Sequence, residues 1–135
     1  MLDFNKFIEN SSKFNIDEEG YKECSKRITE YTEMLHHTIG ISTENGELLD
    51  ALKKAIYYNK PLDLANVSEE VGDIFWYASQ LLALVSKMTG VSPNEILDIN
   101  TRKLTARYDQ KFSEASAIDR DLEVERRILE DGVNK

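Results

Sequence analysis

Two pairs of acidic residues, each with a spacing of three, are the side chains of this sequence best suited to metal chemistry. Glu44 and Glu47 form the first pair, and Glu70 and Asp73 form the second. Residues three apart project from one face of a helix, so two antiparallel helices can present all four carboxylates to one point. Such a cluster repels itself unless it holds a hard divalent cation, above all Mg²⁺ or Mn²⁺. The spacing predicts a metal site, although acids at this spacing are also common on solvated helix faces.

A glycine precedes the second acid of each pair. These glycines are Gly46 and Gly72, and a glycine inside a helix costs ~1 kcal/mol relative to alanine. We interpret them as allowing either a close approach of two helices or room for a substrate against the backbone.

The apolar pattern indicates the first two helices. A stripe with steps of three and four begins at Asp17, and Gly40 predicts its end. A second helix is expected to begin at Ser42 or Thr43. It ends before Pro61, since proline cannot continue a helix interior.

Two more helices follow the same reasoning. The third holds its period from Val67 to Met88, with Asp63 or Ser68 as its N-cap and Gly90 as its C-terminal stop. The fourth begins with a capping box and a proline at the first helical position, and it runs to Tyr108. A last helix is predicted at residues 119–131. With no alternating strand pattern, the sequence predicts an all-α fold, a four-helix bundle with a short C-terminal helical arm, as a single domain over residues 1–135.

Charge and hydropathy exclude several classes of function. The chain has 135 residues and a formal net charge of -8, so it repels the phosphates of DNA or RNA, and no polynucleotide partner is expected. A small phosphate compound bridged by metal ions remains compatible with this charge. No apolar run reaches the ~20 residues that span a bilayer, and the N-terminus lacks a signal-peptide pattern. We therefore expect no membrane partner and a cytoplasmic location.

Three segments resemble, in order, the motifs of MazG-like nucleotide pyrophosphohydrolases. They are GISTENGEL at residues 40–48, followed by two lysines; EVGDIFWY at residues 70–77; and NTRKLTARY at residues 100–108. Residues 119–121 and Glu125 are similar to a C-terminal tail of that family. The resemblance covers residues 35–127. One departure is Asn45, where the family commonly has a small residue, and its side chain is expected to point away from the acids.

The resemblance implies that the chain hydrolyses a nucleoside triphosphate, usually a deoxynucleotide, to the monophosphate and pyrophosphate by attack of water at the α-phosphorus. It implies Mg²⁺ as the cofactor, with Mn²⁺ as an alternative. The metal ligands would be Glu44, Glu47, Glu70 and Asp73. Either Glu44 or Glu47 would accept the proton of the attacking water.

The resemblance also implies a set of residues that bind the substrate. Lys54, Lys103 and Arg107 would contact the phosphates, with Lys53 as a weaker candidate, and Asn100 would bond to phosphate or sugar. Trp76, Tyr77 and Tyr108 are candidates for contact with the base, together with His36 and His37. A solvated basic face or ordinary packing is the structural alternative for these residues.

Four other interpretations remain open from the sequence. Two are enzymes of the same superfamily, a dimeric dUTPase and a phosphoribosyl-ATP pyrophosphohydrolase. A third is a non-catalytic helical interaction module. The fourth is a ferritin-like di-iron protein, suggested by the E-x-x-H of Glu33 and His36, but the sequence lacks the second E-x-x-H that such a site uses. The aromatic residues of the central helix indicate a homo-oligomer in which a partner buries them, and the resemblance implies a homodimer or homotetramer.

Overall fold

The structure is a computed structural model that describes residues 4–109 and 111–134. Most of these described residues lie in seven helices, and the described helices are given below in chain order. No strand occurs among the described residues, which confirms the all-α class. None of the described helices has both the length and the apolar character that crossing a membrane demands. In chain order the helices are α1 (Phe4–Ser12), α2 (Glu18–Glu30), α3 (Thr32–Tyr57), α4 (Leu64–Thr89), α5 (Pro93–Tyr108), α6 (Glu114–Ile118) and α7 (Leu122–Val133).

The chain divides into two compact units, Met1–His36 and His37–Lys135. The first contains α1, α2 and the start of α3, and the second contains the rest of α3 with α4 to α7. All the predicted ligands and phosphate contacts belong to the second unit. The single domain proposed over residues 1–135 stays a prediction.

The expected helix boundary near Gly40 is wrong. Helix α3 passes through this residue without a break, and the end of α2 lies earlier, at its C-cap Tyr31. Gly40 is buried, and a Cβ atom at this position would overlap the ring of Tyr77 on α4. The glycine is therefore explained by helix packing and not by a helix end. Among the described glycines, only Gly90 has the positive φ (74°) of a C-terminal stop.

Caps define both ends of α4 and the start of α5 as the sequence predicts. Of the two candidate N-caps for α4, Asp63 is the one used, since its carboxylate accepts hydrogen bonds from the backbone N–H groups of Ala65 and Asn66. Gly90 ends α4 in the left-handed conformation. The Ser92 hydroxyl accepts from the N–H of Glu95 at 3.2 Å at the start of α5.

Helix α5 is the packing centre of the second unit, where α4, α6 and α7 all contact it. Its Ile99 is only 2% exposed. Gly132 of α7 lies directly against Ile99, and a Cβ there would overlap the isoleucine side chain. The C-terminal helix predicted at residues 119–131 is thus α7, and it packs against α5.

Candidate functional site

Three of the four predicted metal ligands come together between α3 and α4. Glu44 and Glu47 on α3 and Glu70 on α4 each place one carboxylate oxygen within 4.8 Å of the others. Burial increases across the group: Glu47 is exposed, Glu44 is half-buried and Glu70 is buried at 4% exposure. The two helices therefore bring together three of the four acids, and the role of these acids as metal ligands stays a prediction.

The close contact at Gly40 explains how the two helices bring these acids together. Gly40 precedes Glu44 by one turn of α3, and Tyr77 follows Glu70 by two turns of α4. The missing side chain at Gly40 lets the Tyr77 ring lie directly on α3. The same antiparallel approach, continued toward Glu47, places the carboxylates of the two helices opposite each other.

The electrostatics of the group favour an added cation. Burial raises the pKa of Glu70, and the charge of Glu47 raises it further. Among the described residues, no lysine or arginine forms an ion pair with any of the three acids. A buried carboxylate without a cation is costly. Hence this pocket of negative charge is poorly compensated by the chain itself.

The donor set fits a small divalent cation. All three groups offer carboxylate oxygen, which Mg²⁺ and Mn²⁺ prefer. One carboxylate oxygen from each of the three acids lies within 4.8 Å of the other two, so the three side chains are close enough together to share one ion.

Asn66 is a member of the site that the sequence reasoning missed. Its Nδ2 donates a hydrogen bond to Glu70 Oε1 at 2.6 Å, and this bond opposes the rise in the pKa of Glu70. The signal was its position four residues before Glu70 on the same helix face. None of the three motifs includes Asn66.

Asp73, the fourth predicted ligand, lies one turn after Glu70 on α4. Its side chain is exposed, and it is outside the group of three carboxylates. Its role as a ligand stays a prediction.

The two lysines of α3 that are predicted to contact phosphate form ion pairs with a carboxylate of the same helix. Asp50 forms ion pairs with Lys54 at 2.6 Å and with Lys53 at 2.8 Å. Hydrogen bonds from Lys53 and Lys54 lower the pKa of Asp50 to about 2. The sequence reasoning also missed Asp50, although its spacing of three and four to the lysines is that of a helical ion pair.

The basic residues of α5 differ from one another. Lys103 is half-buried, and no carboxylate of the described residues pairs with it. Arg107 instead donates from Nε and from Nη2 to the two oxygens of Glu125, at 2.8 and 2.5 Å. Arg120 donates to the same two oxygens. Asn100 is exposed. The predicted contacts of Asn100, Lys103 and Arg107 with substrate stay predictions, and for Arg107 they would compete with Glu125.

The candidate base contacts form two aromatic groups. Trp76 is 52% exposed and lies edge-on to Tyr77, with ring centroids 4.8 Å apart, and both rings lie near the buried His37. Tyr108 is half-buried against Phe112, with centroids 5.4 Å apart. Trp76 therefore offers more open ring surface than Tyr108.

The glycines beside the acids face open space. A Cβ atom at Gly46 or at Gly72 would have no atom within 4 Å of it among the described residues. The close helix approach that we considered for them occurs at Gly40 instead. Room beside the backbone is the interpretation that remains.

One comparison with known proteins gives a match. The family described as MazG nucleotide pyrophosphohydrolase domain matches residues 31–112. This range contains the three converging acids, Asn66 and the three basic residues Lys54, Lys103 and Arg107, and it ends before Glu125. Searches of curated proteins and of solved structures found no match.

Proposed function

The chain belongs to the MazG nucleotide pyrophosphohydrolase family, and we propose on this basis that it hydrolyses a nucleoside triphosphate, a deoxynucleotide, to the monophosphate and pyrophosphate with Mg²⁺. The observation that carries the proposal is the convergence of Glu44, Glu47 and Glu70 within the matched range. The family is divalent-metal dependent. Among the described residues, these three side chains form a group whose carboxylate oxygens can bind such an ion.

The three converging carboxylates would hold Mg²⁺, with Asp73 as the fourth ligand from the next turn of α4. When bound, the ion neutralises phosphate charge and lowers the pKa of water. Glu70 would hold the ion from the buried side of the site and Glu47 from the exposed side.

The chemical step needs a proton acceptor and a good alignment. Water oxygen forms a bond to the α-phosphorus, the bond from that phosphorus to the bridging oxygen of the β-phosphate breaks, and pyrophosphate leaves. Glu44 or Glu47 accepts the proton of the water. Positioning and charge stabilisation contribute most of the rate in such phosphorus chemistry.

Cations on α3 and α5 would bind the phosphates. Lys103 is available without breaking an ion pair, whereas Lys54 must exchange Asp50 for a phosphate oxygen. Asn100 and Arg107 lie on α5 with Lys103 at steps of three and four. Trp76 would stack on the base, with Tyr108 as a further contact, and the space beside Gly46 and Gly72 admits the phosphates near the metal.

Pyrophosphate release from a panel of NTPs and dNTPs, with and without Mg²⁺, tests the proposal. Glu70→Gln should abolish release. Glu69→Gln is the matched control, because Glu69 is the neighbouring residue but is exposed and outside the acid group. If the folded chain releases no pyrophosphate from any triphosphate, the proposal is wrong.

We also propose that the chain forms a homodimer or homotetramer. Within the second unit of this 15.5 kDa chain, large apolar side chains are exposed, among them Phe75 at 72% and Ile56 at 70%. A second copy would cover such surface. Light scattering after size exclusion should give a multiple of 15.5 kDa, and the monomer mass would contradict this proposal.

A further inference from the structure

Asn66 lies one turn before Glu70 on α4, and its amide donates a hydrogen bond to Glu70, the buried member of the three converging acids. We propose that Asn66 is a positioning residue, which holds the Glu70 carboxylate toward Glu44 and Glu47 so that the three can bind one divalent cation. This inference rests on the metal site of the proposed function.

The first argument is geometric. The 2.6 Å bond from Asn66 Nδ2 ends on Oε1 of Glu70, a side chain that is 4% exposed. A buried carboxylate has little access to water, so a protein donor decides its orientation. With one oxygen held by the amide, the carboxylate cannot rotate freely, and it stays where one of its oxygens lies within 4.8 Å of oxygens of Glu44 and Glu47.

The second argument concerns the charge of the donor. A lysine or arginine in this place would neutralise Glu70 and repel a metal ion. The amide of Asn66 instead compensates part of the desolvation of Glu70 and leaves its negative charge intact. A neutral donor is therefore the type of residue that can orient this acid and keep it competent to bind a cation.

The third argument is that Asn66 is itself held in place. Its backbone N–H donates to Oδ1 of Asp63, the N-cap of α4, at 3.2 Å. A continuous series of contacts thus runs from the helix cap through Asn66 to Glu70. The position of the carboxylate is tied to the first turn of α4 and not only to its own rotamer.

Asn45 provides a matched control within the same site. It lies on α3 between Glu44 and Glu47, but its Nδ2 donates to the backbone oxygen of Ile41 at 2.7 Å, away from the carboxylates. Replacing Asn45 by alanine removes the same chemical group from a position next to a proposed ligand. It leaves the hydrogen bonds of the acids unchanged.

The experiment measures binding of Mn²⁺ alone, by the loss of the electron paramagnetic resonance signal of the free ion, in the full chain. Asn66→Ala should weaken Mn²⁺ binding about 10-fold or more, while Asn45→Ala should bind within about 2-fold of the unsubstituted chain. Circular dichroism melting checks that the variants are folded. Asn66→Leu, which keeps the size of the side chain, serves in place of the alanine variant if that variant does not fold.

Each outcome decides one question. Weakened binding in a folded Asn66 variant with normal binding in Asn45→Ala supports the positioning role. Unchanged binding in a folded Asn66 variant overturns it and leaves the metal site standing. If the unsubstituted chain itself binds no Mn²⁺, the metal site of the proposed function fails, and the positioning role fails with it.

Discussion

Two buried glutamates of the second unit have opposite surroundings. Glu70 and Glu125 are 4% and 5% exposed. Glu70 has two carboxylates and one amide beside it. Glu125 accepts four hydrogen bonds from the guanidinium groups of Arg107 and Arg120, at 2.5 to 3.2 Å.

The pKa values follow these surroundings. Hydrogen bonds from Arg107, and then from Arg120, hold the pKa of Glu125 well below its usual range. Burial and the neighbouring acids raise the pKa of Glu70. Burial alone therefore does not determine what a carboxylate does; the charges that the chain places around it do.

The comparison separates a carboxylate whose charge is compensated within the chain from one that belongs to the candidate metal site. Glu125 belongs to α7 and joins it to α5, and its charge is compensated within the chain. The charge of Glu70 is not compensated by a lysine or arginine of the described residues, so a bound cation can compensate it. A variant at one position should affect function and a variant at the other should affect stability.

The largest expected effect is on activity at Glu70. We expect Glu70→Gln to lower Mg²⁺-dependent pyrophosphate release by roughly 10³-fold or more, while the melting temperature stays equal or increases because an uncompensated buried charge is removed. Melting curves with and without Mg²⁺ extend the test, since a ligand that binds only the folded state stabilises it. A melting temperature of Glu70→Gln far below that of the unsubstituted chain would contradict the contrast between Glu70 and Glu125.

At Glu125 the expected loss is one of stability. Glu125→Gln leaves two guanidinium groups without their carboxylate, and removal of one partner from a buried charge network is strongly destabilising. We expect the melting temperature to fall by roughly 10 °C. Glu123→Gln, on an exposed position of the same helix, is the control and should change it little. Equal melting temperatures for both variants would show that the ion pairs of Glu125 with Arg107 and Arg120 do not stabilise α7.

Acid should remove the contribution of Glu125. Because its pKa is lower in the folded chain than the ordinary value of 4.5, its stabilisation is present above about pH 4.5 and is lost as the pH falls toward the folded value. The difference in melting temperature between the unsubstituted chain and Glu125→Gln should therefore become smaller as the pH falls from about 6 to about 3, on either side of the ordinary pKa of 4.5. A difference that stays constant over this range would contradict the assignment.

The smallest effects concern the two glycines of α3 near the acids. Gly40→Ala should destabilise the chain by about 1–3 kcal/mol, since the added methyl group overlaps the Tyr77 ring and overpacks the contact. Gly46→Ala should instead stabilise it by up to about 1 kcal/mol, because the new side chain meets open space and alanine favours the helix. Chemical denaturation measures both, and the same sign for both would be inconsistent with the packing at Gly40.

Local sequence patterns predicted much of the fold and part of the site. The caps at Asp63, Gly90 and Ser92 were readable because a cap depends on residues within one turn. The spacing of Glu44 and Glu47 predicted a shared helix face for the same reason, whereas the approach of Glu70 to them depends on the packing of α4 against α3. Even the pairing of Asp50 with Lys54 follows a helical spacing that a closer search of the sequence would find.

What only the tertiary structure decided depends on which helices meet. Gly40 looks like a helix end in the sequence, and the ring of Tyr77 alone shows that it is a packing position. Arg107 looks like a phosphate contact, yet Glu125, 18 residues later, occupies its guanidinium. Such pairings depend on the docking of separate helices, which hydrophobic burial determines and helical periodicity does not encode.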